Sequence, residues 1–297
     1  MNKKISIIIV TYNSERDIYD CLASVYQYND IGDELEIIVV DNCSRDYDKM
    51  YKKIQQLYGD KVIVVSNTTN GGYGQGNNVG IQLATAPIIA IMNPDIRLIM
   101  PIFETAVETL QQKDMIMCGG KQYYDSTRKA ISYYPLYTLP PLFRFIIRYI
   151  ATKKDIYIDR YMWLQGAFFF IRKDAFADIG YFDEKIFMYG EEMDIHLRLR
   201  KWFKNAKFIY LQQHKYIHLA GDREFSEKQV ERQLRSLTYV AQKQGLTAVE
   251  FLQRERRYTQ LENILGNIAN RIHHRPSTSV GPLLNVIDKL IQEYANT

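Results

Sequence analysis

KKISIIIVTYNS, residues 3–14, is the stretch that decides the fold. Its β-branched run ends in polar residues, which is typical of a strand buried on both faces of a parallel sheet. The next segment, residues 14–28, has apolar residues at helical spacing and Ser14 at the N-cap position. A buried strand followed by a helix predicts the first unit of an alternating α/β fold.

The same plan recurs through the first third of the chain. Three further runs are hydrophobic and then polar: LEIIVVDNCSRD (35–46), KVIVVSN (61–67) and PIIAIMNPD (87–95). Helical segments separate them, so the sequence predicts a doubly wound, mostly parallel sheet flanked by helices. Ligands of such sheets bind outside the carboxyl ends of the strands.

Hydroxyl, amide and carboxylate side chains follow all four predicted strand ends. A lone Asp after a strand is more often a turn residue or helix cap than a ligand. Finding an acid or amide at four successive ends favours a polar crevice that binds a ligand. The residues are Thr11, Tyr12, Asn13, Asp41, Asn42, Asn67, Asn70, Asn93 and Asp95.

The glycine-rich run NGGYGQGNNVG, residues 70–80, has the rhythm of a dinucleotide fingerprint. A Rossmann motif follows the first strand, whereas this run follows the third. The position of the run therefore argues against a dinucleotide-binding motif. Its glycines permit close backbone approach, and Asn77 and Asn78 are predicted to open a helix whose N-terminal amides face an anion. A purely structural loop is the alternative.

FDEKIFMYGEEMDIHLRLRK, residues 182–201, places three acids ahead of a basic run. A helix is predicted to begin near Gly190, with Glu191, Glu192 and Asp194 in its first turn. The helix dipole favours acids there, and Asp194 with Arg198 forms an i,i+4 pair, so a charged helix start is one interpretation. The other is a carboxylate presented as a general base.

The whole composition is that of an ordinary folded protein. The 297 residues are 24% charged, with an evenly spread net charge of +4, which predicts no nucleic-acid partner. Three cysteines at no metal-ligand spacing favour a reduced, cytoplasmic protein. The run ISIIIV after MNKK is too short for a signal or spanning segment.

The segment Leu142–Lys154 interleaves aromatic and aliphatic residues with Arg144, Arg148, Lys153 and Lys154. A packed helix with a basic edge is one interpretation. The other is peripheral contact with the inner face of the cytoplasmic membrane.

The C-terminal part of the chain is predicted to be helical. Amphipathic helices are predicted after residue 221, with a break near Pro276 and a last helix from about Pro282 to Tyr294. These helices could cover an acceptor cleft, contact membrane or dimerise, and the sequence does not choose.

Read in order, seven segments resemble family-2 inverting glycosyltransferases, especially the bacterial rhamnosyltransferase-like subgroup. They are SIIIVTYNS, IIVVDNCSRD, NGGYGQGNNVGI, NPD, WLQGAFFFIRKDAF, GYFDEKIFMYGEEMDIHLRLRK and IHLAG. The resemblance implies a GT-A fold over residues 1–221, with a nucleotide-sugar half (1–100) and an acceptor and catalytic half (101–221). Residues 222–297 are then a helical C-terminal extension.

The same resemblance implies the ligands and most of the residues that bind them. The donor is a dTDP or UDP sugar, the cofactor is Mg²⁺ or Mn²⁺, and the acceptor is a saccharide, lipid-linked in one version. Asn93, Pro94 and Asp95 stand where relatives have an aspartate-rich metal motif, which leaves Asp95 as a ligand together with His218. The nucleotide-sugar residues are Thr11, Tyr12, Asn13, Asp41, Asn70, Asn77, Asn78 and Asn93.

Glu192 is the general base by its position in the resemblance, where relatives have an aspartate, and Asp194 is the competing candidate. Trp163, Gln165 and Gly166 fall on the acceptor side, as do Glu191 and Asp194, although Trp163 is equally compatible with a core position. One carboxylate and one metal suffice for a single displacement with inversion, unlike the paired carboxyl groups of a glycosidase.

The expected reaction is transfer of L-rhamnose from dTDP-rhamnose to a hydroxyl of a cell-surface saccharide. The alternatives are a UDP-hexose or UDP-galactofuranose donor, a nucleotidyltransferase, and a non-catalytic nucleotide-sugar-binding protein. Nucleotidyltransferases on similar sheets generally carry a glycine-rich, basic loop after the first strand, and VTYNSERD is not one.

Overall fold

The first strand, β1 (Ile5–Thr11), has every residue buried, as its continuous apolar pattern predicts. On one edge it pairs with β2 (Leu35–Asp41), and on the other with β4 (Ile88–Met92). The strand β3 (Val62–Ser66) pairs with the outer edge of β2. All three pairings are parallel, so the four predicted parallel strands are confirmed.

Four more strands complete an eight-stranded sheet: β5 (Ile96–Leu98), β6 (Met115–Tyr123), β9 (Phe168–Arg172) and β10 (Lys207–His218). The strand order is β3-β2-β1-β4-β9-β6-β10-β5. β9 runs antiparallel to β4 and β6, and β5 runs antiparallel to β10. The strands β7 (Tyr133–Pro135) and β8 (Met162–Leu164) form a separate two-stranded sheet. The predicted mostly parallel sheet is therefore confirmed, with two antiparallel strands added.

The structure is a computed structural model that describes residues 2–219, 226–272 and 279–296. The predicted boundary at 221/222, the end of the IHLAG segment and the break near Pro276 lie outside the described residues. The described chain divides into two compact units. The first unit contains residues 2–133, 163–187 and 194–219, and the second contains 134–162, 188–193, 226–272 and 279–296.

Helices of the first unit cover both faces of the sheet. They are α1 (Glu15–Gln27), α2 (Tyr47–Tyr58), α3 (Tyr73–Leu83), α4 (Phe103–Leu110), α6 (Lys173–Asp178) and most of α7 (Glu191–Trp202). Ile18 and Leu22 of α1 share a core with Ile7. On the opposite face, Gly80 of α3 lies against Ile8, so closely that a Cβ would stand 2.5 Å from the isoleucine.

The second unit is helical and contains α5 (Pro141–Lys154), α8 (Glu227–Lys243), α9 (Ala248–Ile272) and α10 (Gly281–Ala295). Contrary to the predicted basic edge, Arg144 of α5 is buried and paired with Glu255 of α9. Arg148 pairs with Glu262 at 2.7 Å. Both arginines face α9 because its carboxylates neutralise them there. No helix within the described ranges is long and apolar enough to cross a membrane.

Candidate active site

The ends of β1, β2 and β3 are joined by main-chain hydrogen bonds. Asn42 N–H donates to the carbonyl oxygen of Thr11 at 2.8 Å, and Asn67 N–H donates to that of Asp41 at 2.8 Å. The Asp41 carboxylate is fully buried and accepts from the Thr11 hydroxyl (3.0 Å) and from Ser44 N–H (2.8 Å). Each carboxylate oxygen has a second lone pair that can accept another hydrogen bond. A contact between Asp41 and a nucleobase stays a prediction.

The loop after β1 is fastened to the loop after β2. Asn13 has φ +52°, a conformation that asparagine tolerates. Its N–H donates to the Ser44 hydroxyl at 2.8 Å, and its Oδ1 accepts from Arg45 N–H at 3.1 Å. The ring of Tyr12 is 53% exposed beside this fixed turn. An exposed aromatic face held by a rigid loop is what stacking on a nucleobase requires.

The glycine-rich loop ends at Gly72, about one helical turn before the position predicted from Asn77 and Asn78. Gly72 has φ +93°, and a Cβ there would stand 2.3 Å from the carbonyl oxygen of Phe187. That same oxygen accepts from Tyr73 N–H at 2.9 Å. Because α3 therefore begins at Tyr73, the prediction that Asn77 and Asn78 open the helix is wrong. Asn70 lies in the loop itself, where its Oδ1 accepts from Gly72 N–H at 3.0 Å.

Asn77 and Asn78 lie inside α3 and differ in their contacts. Asn78 donates to the Phe182 carbonyl (3.0 Å) and to the Glu184 carboxylate (2.9 Å), and it accepts from Phe182 N–H (3.1 Å). Its amide thus connects α3 to residues 182–184. Asn77 is fully buried and donates to the Tyr73 carbonyl at 2.9 Å, while its Oδ1 has no hydrogen-bond partner. A side-chain acceptor without a hydrogen-bond partner is therefore present on Asn77 but not on Asn78.

Asp95 and His218 meet because of strand register. The β5–β10 pairing sets Ile96 opposite His218, and Leu219 N–H donates to the Asp95 carbonyl at 3.0 Å. His218 Nε2 lies 3.3 Å from Asp95 Oδ1. The imidazole is buried, and neither of its nitrogens makes a hydrogen bond. A carboxylate oxygen beside an imidazole whose nitrogens make no hydrogen bond suits two ligands of one cation.

The donor set fits a divalent cation only if a ligand completes it. Across the described residues, no group of three or more His, Cys, Asp or Glu side chains is placed to hold a metal ion. Asp95 and His218 would contribute two ligands, so a bound diphosphate and water would have to supply the others. Metal binding by this pair stays a prediction.

Two buried side-chain acceptors lie near the end of β4. Asn93 N–H donates to the Ala167 carbonyl (2.8 Å), and Gln165 N–H donates to the Ser132 carbonyl (3.0 Å). The Asn93 Oδ1 and Gln165 Oε1 atoms are buried without hydrogen-bond partners. Leaving such an atom unsatisfied costs about 1–3 kcal/mol. Sugar hydroxyls would satisfy both. Gly166 next to Gln165 accepts from the Tyr73 hydroxyl at 3.1 Å.

His196 is a positioning residue that sequence reasoning missed. It is fully buried on α7, its Nε2 accepts from Leu164 N–H at 3.3 Å, and its ring stacks on Phe208 with centroids 4.4 Å apart. This contact fixes the strand that leads into Gln165. A lone histidine within a helical pattern offers no sequence signal for such a role. Trp163 is only 6% exposed, which favours its core interpretation over a sugar platform.

The predicted helix start is confirmed, since α7 begins at Glu191. Glu191 and Glu192 belong to the second unit. Burial, and after it the charge of Glu192, raise the pKa of Glu191 well above its usual range. Glu191 therefore retains its proton to higher pH than a free glutamate.

The turn before α7 is held by α8 of the same unit. Tyr189 and Gly190 both have positive φ, +73° and +93°. The Gln229 amide donates to the Tyr189 hydroxyl, and the Ser236 hydroxyl donates to the Met188 carbonyl at 2.9 Å. Since tyrosine rarely adopts positive φ, these contacts are needed to hold the turn from which Glu191 and Glu192 start.

Asp194 forms the structural ion pair that its spacing predicts. Its carboxylate is fully buried and lies 2.6 Å from Arg198 Nε. Arg198 also donates to the carbonyl oxygens of Ile179 and Tyr181. The pair therefore attaches α7 to the loop that follows α6 within the first unit. A carboxylate committed in this way is a weaker candidate for the base than Glu192.

Asp194→Asn is expected to lower the free energy of unfolding by about 1–3 kcal/mol, because it leaves a part-buried guanidinium poorly paired. Urea denaturation would measure the loss. Asp178→Asn, which changes an exposed acid on α6, is the matched control and should shift stability by less than about 0.5 kcal/mol. Unchanged stability together with abolished catalysis would instead mark Asp194 as the base.

Known proteins resemble this chain in both sequence and fold. Rhamnosyltransferase WbbL of Escherichia coli K12 is 26% identical over 263 residues, which cover 82% of this chain and 96% of WbbL. The mannosyltransferase PcManGT of Pyrobaculum calidifontis, solved in complex with GDP-Man and Mn²⁺, aligns with a TM-score of 0.59 at 14% identity. That alignment covers 100% of this chain and 74% of PcManGT.

A third similar protein is Staphylococcus aureus TarS, whose crystal structure aligns with a TM-score of 0.57 at 18% identity. The alignment covers 87% of this chain but 43% of TarS, so this chain spans less than half of that protein. These neighbours confirm the GT-A expectation for the fold. The model of the family described as Glycosyl transferase family 2 matches residues 6–180, more than half of the chain. The chain therefore belongs to glycosyl transferase family 2.

Proposed function

We propose that this protein is an inverting glycosyltransferase that moves a sugar from a nucleoside diphosphate to a hydroxyl of a saccharide. The observation that carries the proposal is that His218 Nε2 lies 3.3 Å from Asp95 Oδ1, and that neither nitrogen of this buried imidazole makes a hydrogen bond, in the unit that contains the polar strand ends. Such a pair suits a cation that also binds the two phosphates of the donor.

The proposed chemistry is one displacement. A bound divalent cation would neutralise the charge that develops on the leaving diphosphate. Glu192 takes the proton of the acceptor hydroxyl while that oxygen forms a bond to the anomeric carbon and the bond to the donor phosphate breaks. Burial and the charge of Glu192 raise the pKa of the neighbouring Glu191, which holds its proton to higher pH than a free glutamate. Asn93 and Gln165, whose buried side-chain oxygens have no hydrogen-bond partner, bind hydroxyl groups of the sugar.

L-Rhamnose from dTDP-rhamnose is the proposed donor, and a cell-surface polysaccharide or lipid-linked saccharide is the proposed acceptor. The similarity to a rhamnosyltransferase along 96% of its length supports this choice. The same site would serve a UDP-hexose or UDP-galactofuranose. A non-catalytic nucleotide-sugar-binding protein would retain Asp41 and Asp95 and would not need Glu192.

Thermal unfolding with dTDP, UDP or GDP, each with and without Mn²⁺ or Mg²⁺, tests the donor site. One nucleoside diphosphate with metal should stabilise the wild type, by about 2.7 kcal/mol when the ligand is at 100 times its Kd. Asp95→Ala should lose the metal-dependent part because one ligand is gone. Asp60→Ala, an exposed acid of the same unit, should behave as wild type.

The donor-site proposal fails if none of the diphosphates stabilises the wild type with either metal, or if Asp95→Ala is stabilised equally. Slow metal-dependent hydrolysis of dTDP-rhamnose, compared with UDP-glucose and UDP-galactofuranose, then identifies the donor. A protein that binds a nucleotide sugar tightly and neither hydrolyses nor transfers it would support the non-catalytic alternative.

A further inference from the structure

One face of α5 is apolar and exposed over its whole length. Five large side chains on this face are between 40% and 59% exposed, and their spacing of three and four residues places them in one stripe. Two exposed lysines continue the stripe at the C-terminal end of the helix. We call this the α5 face; its residues are Leu142, Phe143, Ile146, Tyr149, Ile150, Lys153 and Lys154.

The opposite face of α5 is occupied within the second unit. Arg144 pairs with Glu255, and Arg148 donates to Glu262 at 2.7 Å and to the Tyr258 hydroxyl at 3.2 Å. Arg144 is buried, and Arg148, whose side chain is 37% exposed, already has a carboxylate partner. The cations of the α5 face that remain are Lys153 and Lys154.

The charge on α5 has one sign, because the helix contains no aspartate or glutamate. A contiguous exposed apolar patch marks an interaction surface. An apolar stripe with aromatic residues and lysines is the pattern of a helix that lies in a membrane interface. The 14 residues of α5 span about 21 Å, shorter than the hydrocarbon core of about 30 Å, so the helix would lie along the surface rather than cross it.

We propose that the α5 face binds the surface of an anionic lipid bilayer. Leu142, Phe143, Ile146 and Ile150 enter the boundary between headgroups and acyl chains, and Tyr149 stays at the headgroup level. Lys153 and Lys154 contact the negative surface charge. This inference goes beyond the proposed function and does not depend on it, since binding to lipid requires no donor, acceptor or metal.

Cosedimentation of the full chain with vesicles tests the proposal. Wild type should bind vesicles of phosphatidylcholine with phosphatidylglycerol more tightly than pure phosphatidylcholine, and less so at high salt. Lys153→Gln/Lys154→Gln should weaken partitioning into the anionic vesicles about 30-fold at low salt, because each lysine near the surface contributes roughly fivefold. Ile146→Asp/Ile150→Asp should reduce binding to both vesicle types.

The matched controls are on α2 of the first unit. Leu57→Asp replaces an apolar residue that is 54% exposed, and Lys49→Gln/Lys52→Gln removes two exposed lysines. Both controls should bind as wild type. Failure of wild type to bind anionic vesicles overturns the proposal, as does an equal loss in the α2 variants. Self-association that Ile146→Asp abolishes, without lipid binding, would show instead that a second copy covers the face. The lysine variant keeps the test valid if the aspartate variants do not fold.

Discussion

Glu192→Gln should lower kcat by about 10²–10⁴-fold and leave nucleotide binding unchanged, because it removes the proposed base and keeps the shape of the side chain. Transfer kinetics with the donor found above would measure kcat, and thermal shifts with the nucleoside diphosphate would measure binding. The loss should appear at every acceptor concentration, since the acceptor hydroxyl can still bind but cannot give up its proton.

Glu191→Gln is the matched control, one residue away in the same helical turn. Burial and the charge of Glu192 raise the pKa of Glu191, so the wild-type side chain keeps its proton well above the pH at which a free glutamate ionises. Glutamine resembles that protonated form, so activity should stay within severalfold of wild type. If Glu192→Gln kept full transfer activity and Glu191→Gln lost it, Glu191 rather than Glu192 would be the general base.

The same pair predicts a pH dependence of stability. The folded state holds the Glu191 proton more tightly than the unfolded chain, in which the pKa is near its usual value of 4.5. Stability therefore falls as the pH rises from that value through the raised pKa, the reverse of a salt-bridged carboxylate. Glu191→Gln should remove this slope in urea unfolding measured across the pH range.

Strands and their polar ends were predictable because β-branched runs are a local signal. The sequence pattern placed Thr11, Asp41 and Asn67 at successive strand ends, and β1, β2 and β3 lie side by side as expected. The start of α3 was not predictable, since it depends on the Phe187 carbonyl, which belongs to a distant segment. A propensity argument cannot include a hydrogen bond to a partner that only the folded chain brings close.

Long-range register and burial account for the other differences. Only the family resemblance suggested Asp95 and His218 as ligands, because the two residues are far apart in the sequence. The β5–β10 register brings them together in the fold. Arg144 and Lys153 occupy the same amphipathic segment, but only Arg144 faces a carboxylate on α9. Residue type could not separate the buried cation from the exposed one.

The buried pair of Arg144 and Glu255 is the second site at which a large effect is expected. Both side chains are 8% exposed. The guanidinium lies over the rings of Tyr137 and Tyr258, 4.0 and 3.7 Å from their centroids. Burial raises the pKa of Glu255, and the nearby Arg144 offsets this only in part. Burial lowers the pKa of Arg144, but Glu255 and Tyr137 raise it by more, so pairing offsets burial for the guanidinium and only in part for the carboxylate.

Glu255→Ala should lower the free energy of unfolding by about 3–5 kcal/mol, because it leaves a buried guanidinium without its counter-charge. Urea unfolding would measure the change. The matched control is Arg256→Ala on the same helix, where Arg256 pairs with Asp288 at 2.6 Å but the side chains are 38% and 43% exposed. That exposed pair should contribute at most about 1 kcal/mol.

Arg144→Met/Glu255→Leu separates the cost of an unpaired charge from the value of the pair. Because burial opposes both charges, two apolar residues of similar volume should restore most of the stability that Glu255→Ala removes. A double variant as unstable as Glu255→Ala would mean that the ion pair itself, with the two tyrosine rings, stabilises the contact between α5 and α9. Equal losses in Glu255→Ala and Arg256→Ala would show that burial of the pair has little energetic consequence.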